Sequence, residues 1–348
     1  MNPGKGRRGT GVVRFFLQKH NKWTRVRPGS FMRRSEYDVT DRICTTSAEE
    51  VEAEVLRLYH ALYDGAPAKG IVRAFTDMRR LYRGEHSDYH ACDTAYHDLQ
   101  HVLDVTLAMA RLLDGYARSR RNGAPALAPE QFALGVIASL FHDFGYLRRR
   151  GDRRHDNGAE YTLIHVSRGA AFLRRYLHTL GMGRLAGIAA TLLHYTGYER
   201  PAESIRVSDA MLRRIGHMLG TADIIAQMSD RCYLEKCRDR LYPEFVLAGI
   251  ARRRLPGGRT ETLFASGEDL VYKTPGFYQR ATRRLDQVLV RAYDYAERHF
   301  GGQNVYLEEM QKNVRHAEVL AKSLGAGDLR RHPPNTLSAS AASAQVIP

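Results

Sequence analysis

The sequence has 348 residues, of which 43% are hydrophobic and 26% are charged, as is typical of a folded globular protein. This length suffices for a sizeable core, in one large domain or two small ones. No run approaches the roughly 18 apolar residues of a membrane span, and the chain does not open with a signal-peptide pattern. The four cysteines form no CxxC pair, which argues against a disulfide framework or a thiolate zinc site and fits a reducing, cytoplasmic setting.

The net charge of +15 at pH 7 suggests an acidic partner, but much of this charge is local. Residues 1–35 contain ten Lys or Arg and no Asp or Glu. We interpret residues 1–44 as a basic arm outside the folded domain. It is either a disordered, solvated tail or a segment that makes weak contacts with nucleic acid or an anionic surface. An organellar transit peptide would also be rich in Arg, but this stretch has few serines.

Helical patterns follow one another from residue 47 onward. Ser47 and Glu50, three residues apart, form a capping-box pattern at the start of the first helix. No alternating β pattern of any length occurs. We predict an all-α fold, with one multi-helix domain over residues 45–323 and a disordered tail over residues 324–348. After the first helix, helical patterns cover residues 68–83, 95–117, 130–146, 158–181, 183–197, 208–240, 276–300 and 303–323.

Two histidines, His97 and His101, lie four residues apart in the stretch YHDLQH. If this stretch is helical, as predicted, both side chains lie on one face, because four residues are slightly more than one turn. Such a pair can bind a metal, transfer a proton or fill a polar position in a core. The pair by itself leaves all three uses open.

Two later stretches contain further residues that can bind metals. His142 and Asp143 are adjacent in FHDFGY at the end of an apolar helix, and Asp223 lies in an apolar helix, where an uncompensated charge is costly to bury. A divalent cation or an arginine would compensate it. Imidazole and carboxylate together suit zinc, iron and manganese. Two metals about 3.5–4 Å apart could hold a hydroxide for attack on phosphorus, and a further histidine could protonate the leaving oxygen.

In this order, YHDLQH, FHDFGY and GTADIIAQMSD resemble the HD-domain metal-dependent phosphohydrolases, especially the class I 3′,5′-cyclic nucleotide phosphodiesterases. The resemblance implies an HD-domain, PDEase-like helical bundle with a metal site in a central pocket. It also implies two divalent ions, zinc or iron at a tight site and magnesium or manganese at a second site, bridged by Asp143. His97 would then be the general acid. The ligands of the first ion would be His101, His142, Asp143 and Asp223.

The same resemblance assigns further positions to the site. His165 and His194 match positions where related enzymes place residues that bind the second metal or organise water, although both could be ordinary core histidines. Phe277, in YKTPGFYQR, matches a phenylalanine that stacks on the base. Thr274 replaces the glutamine that precedes this phenylalanine in the family, and one hydroxyl cannot make the bidentate contact of an amide. This departure concerns base recognition and leaves the metal chemistry untouched.

Three functions are compatible with these patterns. The first is hydrolysis of a phosphodiester, such as a cyclic nucleotide, by a metal-bound hydroxide with His97 as general acid, so that the partner is a small-molecule nucleotide. The second is HD-type hydrolysis of a deoxynucleoside triphosphate or a guanosine tetraphosphate alarmone. The third is a basic binding module with a non-catalytic metal site. The first histidine of YHDLQH favours the phosphodiester reaction, because a poor alkoxide leaving group needs an acid.

Overall fold

The computed structural model describes residues 33–119 and 125–335. Over these residues the chain is helical apart from turns and one hairpin of β1 (Arg252–Arg254) and β2 (Thr260–Thr262), which pair antiparallel. None of the described helices has the length and apolar character needed to cross a membrane. The helices are α1 (Ala48–Leu62), α2 (Lys69–Tyr82), α3 (Leu99–Ser119), α4 (Pro129–Leu140), α5 (His165–Thr179), α6 (Ala186–Leu193), α7 (Ala210–Ser229), α8 (Tyr233–Lys236), α9 (Tyr242–Leu247), α10 (Gly267–Tyr272), α11 (Thr274–Arg283), α12 (Asp294–Phe300) and α13 (Val305–Ser323).

The all-α class that the sequence predicts is confirmed. The hairpin was not predicted, because each strand has three residues and those of β1 are all exposed, so that neither strand shows an apolar–polar alternation. The predicted helix over residues 208–240 is interrupted after α7, and the one over residues 276–300 continues from α11 through a π-helical turn and is interrupted after Val288. Element type was therefore easier to predict than element ends.

Helix α3 is the centre of the fold. Its side chains are buried on nearly every side, and it packs against α1, α4, α7 and α12. A helix that is buried all round belongs in the core of a large domain. Gly115 in α3 faces the backbone carbonyl of Tyr295 in α12, where a Cβ would clash. This glycine lets the two helices approach closely.

Helix α3 begins at Leu99 rather than at residue 95, as the sequence pattern predicts. The side chain of Asp98 accepts a hydrogen bond from the backbone N–H of His101 at 2.9 Å, which is the contact of an N-cap residue. His97 therefore lies in the turn before the helix, and the prediction that the two histidines share a helical face was wrong. Their rings nevertheless lie near each other, with centroids 5.8 Å apart.

The folded domain begins earlier than the predicted boundary at residue 44. Asp38 is 4% exposed, and its carboxylate accepts hydrogen bonds from Arg111 Nη2 in α3 at 2.6 Å and from the N–H groups of Arg42 and Ile43. Burial alone would raise the pKa of Asp38, but Arg111 and these N–H groups together lower it to about 2. A buried carboxylate needs such partners, so this segment is held against α3. The rest of the predicted arm, residues 1–32, lies outside the described residues.

The predicted tail over residues 324–348 also starts inside the domain. Arg238 donates to the carbonyl oxygen of Leu329, and Arg240 donates to two proline carbonyl oxygens farther along, at 3.0 and 2.6 Å. Leu329 is buried. Residues 324–335 therefore pack on the segment that joins α8 to α9. The predicted disorder of residues 336–348 concerns residues outside the described part of the chain.

Candidate metal centre and adjoining cavity

The four side chains predicted to bind the first metal lie together. His101 belongs to α3, His142 and Asp143 lie in the turn after α4, and Asp223 belongs to α7. Asp143 Oδ2 lies 3.2 Å from His101 Nε2 and 3.2 Å from His142 Nε2. Asp223 Oδ1 lies 3.5 Å from His101 Nε2. One ligand atom from each of the first three residues can be chosen so that all lie within 4.8 Å of one another, and these residues are buried.

Hydrogen bonds around the cluster leave its ligand atoms available for a cation. His142 Nδ1 lies 2.7 Å from the carbonyl oxygen of Ser139, so Nδ1 carries a proton and the ring, once neutral, directs the Nε2 lone pair into the cluster. Asp143 Oδ2 is buried 3.2 Å from two imidazole nitrogens, His101 Nε2 and His142 Nε2, and has no other close polar partner among the described residues. Converging lone pairs repel each other unless a cation lies between them. Two imidazoles with two carboxylates therefore fit a divalent ion such as zinc, iron or manganese.

Charges within the cluster shift the pKa values of its members. Burial alone would lower the pKa of His142, but the carboxylates of Asp143 and Asp223 outweigh burial and raise it to about 9. Burial opposes ionisation of Asp143, yet the neighbouring histidines, chiefly His142, hold its pKa well below the usual range. The metal-free cluster thus keeps a proton at neutral pH. Metal binding must displace this proton, so metal affinity should rise with pH.

His97 lies beside the cluster, held by a glutamate. Its Nδ1 is 2.5 Å from Oε2 of Glu244 in α9, whose Oε1 accepts a hydrogen bond from the backbone N–H of Tyr96 at 2.6 Å. Nε2 of His97 lies 3.4 Å from the Tyr146 hydroxyl, and the two rings stack with centroids 4.3 Å apart. Burial lowers the pKa of His97, but Glu244 and more distant carboxylates raise it to a value above the ordinary one. This imidazole is therefore suited to hold a proton next to the metal centre.

Sequence analysis missed Glu244 and Tyr146. Glu244 is an isolated acidic residue in the stretch LYPEFVLAG, and it is 2% exposed. The same signal, a lone carboxylate among apolar residues, identified Asp223. Tyr146 ends the stretch FHDFGY, and the 3₁₀ turn Phe144–Tyr146 brings its ring to His97. No spacing rule links either residue to His97.

Of the two histidines that the resemblance assigns to the second metal or to water, His165 lines the cavity beside the cluster and His194 does not. His165 begins α5, and its Nδ1 lies 2.6 Å from the Thr162 carbonyl oxygen, so the proton is on Nδ1 and Nε2 is left unprotonated, 3.6 Å from Asp143 Oδ1. A second cation could bind between these two atoms. His194 is the residue after α6 and does not line the cavity that adjoins the cluster. Its buried Nδ1 has no hydrogen-bond partner among the described residues.

A cavity of about 370 Å³ adjoins the metal centre. Small-molecule sites commonly have volumes of about 300–1,000 Å³. One part of the wall is formed by His97 and members of the metal cluster, and His165 also lines the cavity. Both residues predicted to contact the substrate, Phe277 and Thr274, lie in the wall. The cavity therefore extends from the cluster to α11, to which both residues belong.

Comparison with known proteins found one similar solved structure. It is the phosphodiesterase domain of the RhoPDE fusion protein from the choanoflagellate Salpingoeca rosetta, with 15% sequence identity and a TM-score of 0.49. The similarity covers 84% of this chain and 96% of that domain. No protein-family model and no curated protein sequence matches the chain. Phosphodiesterase is the name of that domain and not of this chain. The geometry of the cluster described above does not depend on the comparison.

Proposed function

We propose that this chain is a metal-dependent phosphohydrolase that cleaves a phosphodiester, with a 3′,5′-cyclic nucleotide as the first substrate to test. One observation carries the proposal: His101, His142, Asp143 and Asp223 converge beside a cavity that is also lined by the His97 imidazole. A cluster that only stabilised the fold would not need a cavity at its edge. A diester phosphate in this cavity would lie between the cluster and the acid.

The side chains divide the chemistry between them. When bound, a divalent cation would lower the pKa of a water molecule and offset the negative charge of the phosphoryl group. His97 would hold a proton on Nε2 for the leaving oxygen, while Glu244 accepts the hydrogen bond from Nδ1 and keeps the ring charged and oriented. His165 and Asp143 would hold a second divalent ion, which we propose to be magnesium or manganese.

The position of His97 favours a diester over the alternative substrates. Cleavage of a phosphoanhydride bond in a triphosphate releases a stable phosphate anion, which needs less protonation than an alkoxide does. A half-buried histidine with a raised pKa, held by a buried glutamate, is useful where the leaving oxygen is strongly basic. Hydrolysis of a deoxynucleoside triphosphate or of guanosine tetraphosphate remains the second candidate.

The test is a substrate panel with controlled metal content. Protein stripped by a chelator is reloaded with Mn²⁺, Mg²⁺ or Zn²⁺ and assayed by chromatography against cyclic AMP, cyclic GMP, bis(p-nitrophenyl) phosphate, the triphosphates and guanosine tetraphosphate. We expect diester hydrolysis that disappears with the chelator and returns with Mn²⁺ or Mg²⁺. Hydrolysis of triphosphates or the alarmone alone would support the second candidate. If metal-loaded protein cleaves none of these compounds, the proposal is wrong and a non-catalytic metal module remains.

A further inference from the structure

The cavity wall away from the metal cluster is mostly apolar. Aromatic and aliphatic side chains reach it from α9, from both ends of the β-hairpin, from α10 and from α11. Such a surface binds carbon-rich groups because water is excluded from both apolar surfaces. A polar group that binds there loses its hydrogen bonds to water, and the apolar side chains offer no hydrogen bonds to replace them. The side chains concerned are Phe245, Ile250, Phe264, Leu270 and Phe277.

The three threonine hydroxyl groups in the wall already donate to the protein. Thr162 donates to the Ala159 carbonyl oxygen at 2.6 Å, and Thr196 donates to a carbonyl oxygen one turn earlier at 2.8 Å. Thr274, the residue at the position of the family's glutamine, donates to the Leu270 carbonyl oxygen at 3.3 Å and is 3% exposed. None of these three hydroxyl protons is therefore free for a ligand.

The amide and the outlying carboxylate in the wall are also engaged. Gln227 accepts a hydrogen bond from the Tyr96 hydroxyl at 3.1 Å and donates to Asp223 at 3.5 Å, so each end of its amide already has one protein partner. The Glu199 carboxylate accepts hydrogen bonds from the backbone N–H groups of Val166, at 2.7 Å, and of Ser167 in the first turn of α5. The Gln227 contact holds Asp223, and the Glu199 contacts hold the first turn of α5. These hydrogen bonds serve the protein and not the edge of a bound base.

The cationic side chains at the cavity cannot replace an amide. Lys273 Nζ donates to the Leu263 carbonyl oxygen at 2.7 Å and to Asp269 at 2.8 Å. Arg280 is exposed and makes no ion pair among the described residues; its guanidinium lies 6.0 Å from the Phe277 ring centroid. A guanidinium has only donors, whereas the edge of a base presents donors and acceptors together. Arg280 can attract a phosphate but cannot satisfy the donors of a base.

We propose that the cavity binds an apolar alkyl or aryl substituent of the phosphodiester and discriminates against a nucleobase. This inference rests on the proposed diester hydrolysis and narrows its substrate class. A nucleobase in the cavity would lose hydrogen bonds to water and find few partners, whereas a hydrocarbon group loses none. Each methylene buried in such a wall should strengthen binding about threefold to fourfold.

The experiment compares substrates that share one leaving group. The p-nitrophenyl esters of methyl, butyl and octyl phosphate and of thymidine 5′-phosphate are assayed with Mn²⁺-loaded protein. We expect kcat/KM to rise about threefold to fourfold per methylene until the cavity is filled. The octyl ester should exceed the thymidine ester at least tenfold, about 1.4 kcal/mol. A flat alkyl series, or a thymidine ester that is cleaved faster than the octyl ester, would overturn the proposal.

A variant pair locates the effect. Phe277→Ala is expected to lower the octyl-to-methyl ratio of kcat/KM at least tenfold, because it removes an aromatic wall. Val319→Ala truncates an exposed apolar side chain on α13 that does not line the cavity, and it should leave the ratio unchanged. Equal ratios in the two variants would mean that chain length is sensed elsewhere, and the assignment to this cavity would be wrong.

A binding measurement separates failure of this inference from failure of the proposed function. Calorimetric titration with n-octyl phosphate and with thymidine 5′-phosphate needs no turnover. If no ester is cleaved but octyl phosphate binds at least tenfold more tightly, the proposed function fails and the apolar assignment stands. If esters are cleaved but thymidine 5′-phosphate binds more tightly, the proposed function stands and the apolar assignment fails.

Discussion

Replacing Glu244 with glutamine should remove most of the acid catalysis by His97. Glu244 is 2% exposed, and its carboxylate lies 2.5 Å from His97 Nδ1. An opposite charge this close typically moves a pKa by about 1–3 units, and each unit corresponds to about 1.4 kcal/mol. The carboxylate raises the pKa of His97, so its loss lowers that pKa. Wherever the pH lies above both pKa values, each unit by which the pKa falls lowers the protonated fraction of His97 about tenfold.

Two features of the kinetics should change together in Glu244→Gln. The protonated acid is lost as pH rises through its pKa, so the basic limb of the kcat/KM profile should move to lower pH when the carboxylate that raises this pKa is removed. The effect should be large for an alkoxide leaving group, such as that of cyclic AMP. It should be small for a p-nitrophenolate, which leaves without protonation.

The matched control is Glu235→Gln. Glu235 is also 2% exposed, but it does not line the cavity, and its Oε1 accepts a hydrogen bond from the backbone N–H of Arg331. Metal content, measured by elemental analysis, should be unchanged in both variants. An unshifted basic limb in Glu244→Gln, or an equal loss of activity on both leaving groups, would refute the assignment of the proton to His97.

Three other predictions concern the metal centre, the Asp38 ion pair and the basic arm. His101→Ala should lose bound metal, whereas His97→Ala should keep it while turnover of an alkoxide diester falls about 10²–10⁴-fold; equal metal loss in elemental analysis would contradict this division. The pKa of Asp38 is lowered to about 2 from an ordinary 3.8, so its ionised carboxylate stabilises the folded state at pH values above 3.8. This contribution to the free energy of unfolding is lost as the pH falls towards 2. Asp38→Asn should therefore lower the free energy of unfolding by at least about 2 kcal/mol at neutral pH and by much less near pH 2 in urea denaturation; a difference independent of pH would contradict the ion-pair account. Deletion of residues 1–32 should weaken binding to duplex DNA or anionic vesicles in a salt-dependent way without altering diester turnover, and binding that is unchanged by deletion would exclude the arm as the contact.

The family resemblance supplied the full set of candidate metal ligands, and some of them also stand out because their chemistry conflicts with their surroundings. A histidine–aspartate pair at the end of an apolar helix and a carboxylate within another are costly to bury alone, and this cost is visible in a linear sequence. The structure brings His101, His142 and Asp143 together, with Asp223 beside them. The reasoning from helical spacing was wrong for His97, because the Asp98 cap starts α3 two residues after that histidine. The end of a helix is set by a capping contact between residues two or three apart, whereas apolar periodicity is a property of a longer stretch and does not fix the end.

The sequence by itself determined the all-α class and marked candidate metal-binding residues, because apolar periodicity and isolated polar residues are properties of neighbours along the chain. Only the tertiary structure decided which side chains face one another. Glu244 lies 147 residues from His97, yet their side chains form the shortest contact of this imidazole. His165 points at Asp143 while His194 does not line the cavity. Thr274 and Gln227 make hydrogen bonds within the protein that exist only after folding. These bonds occupy polar groups of the cavity wall, and they underlie our proposal that the cavity binds an apolar group.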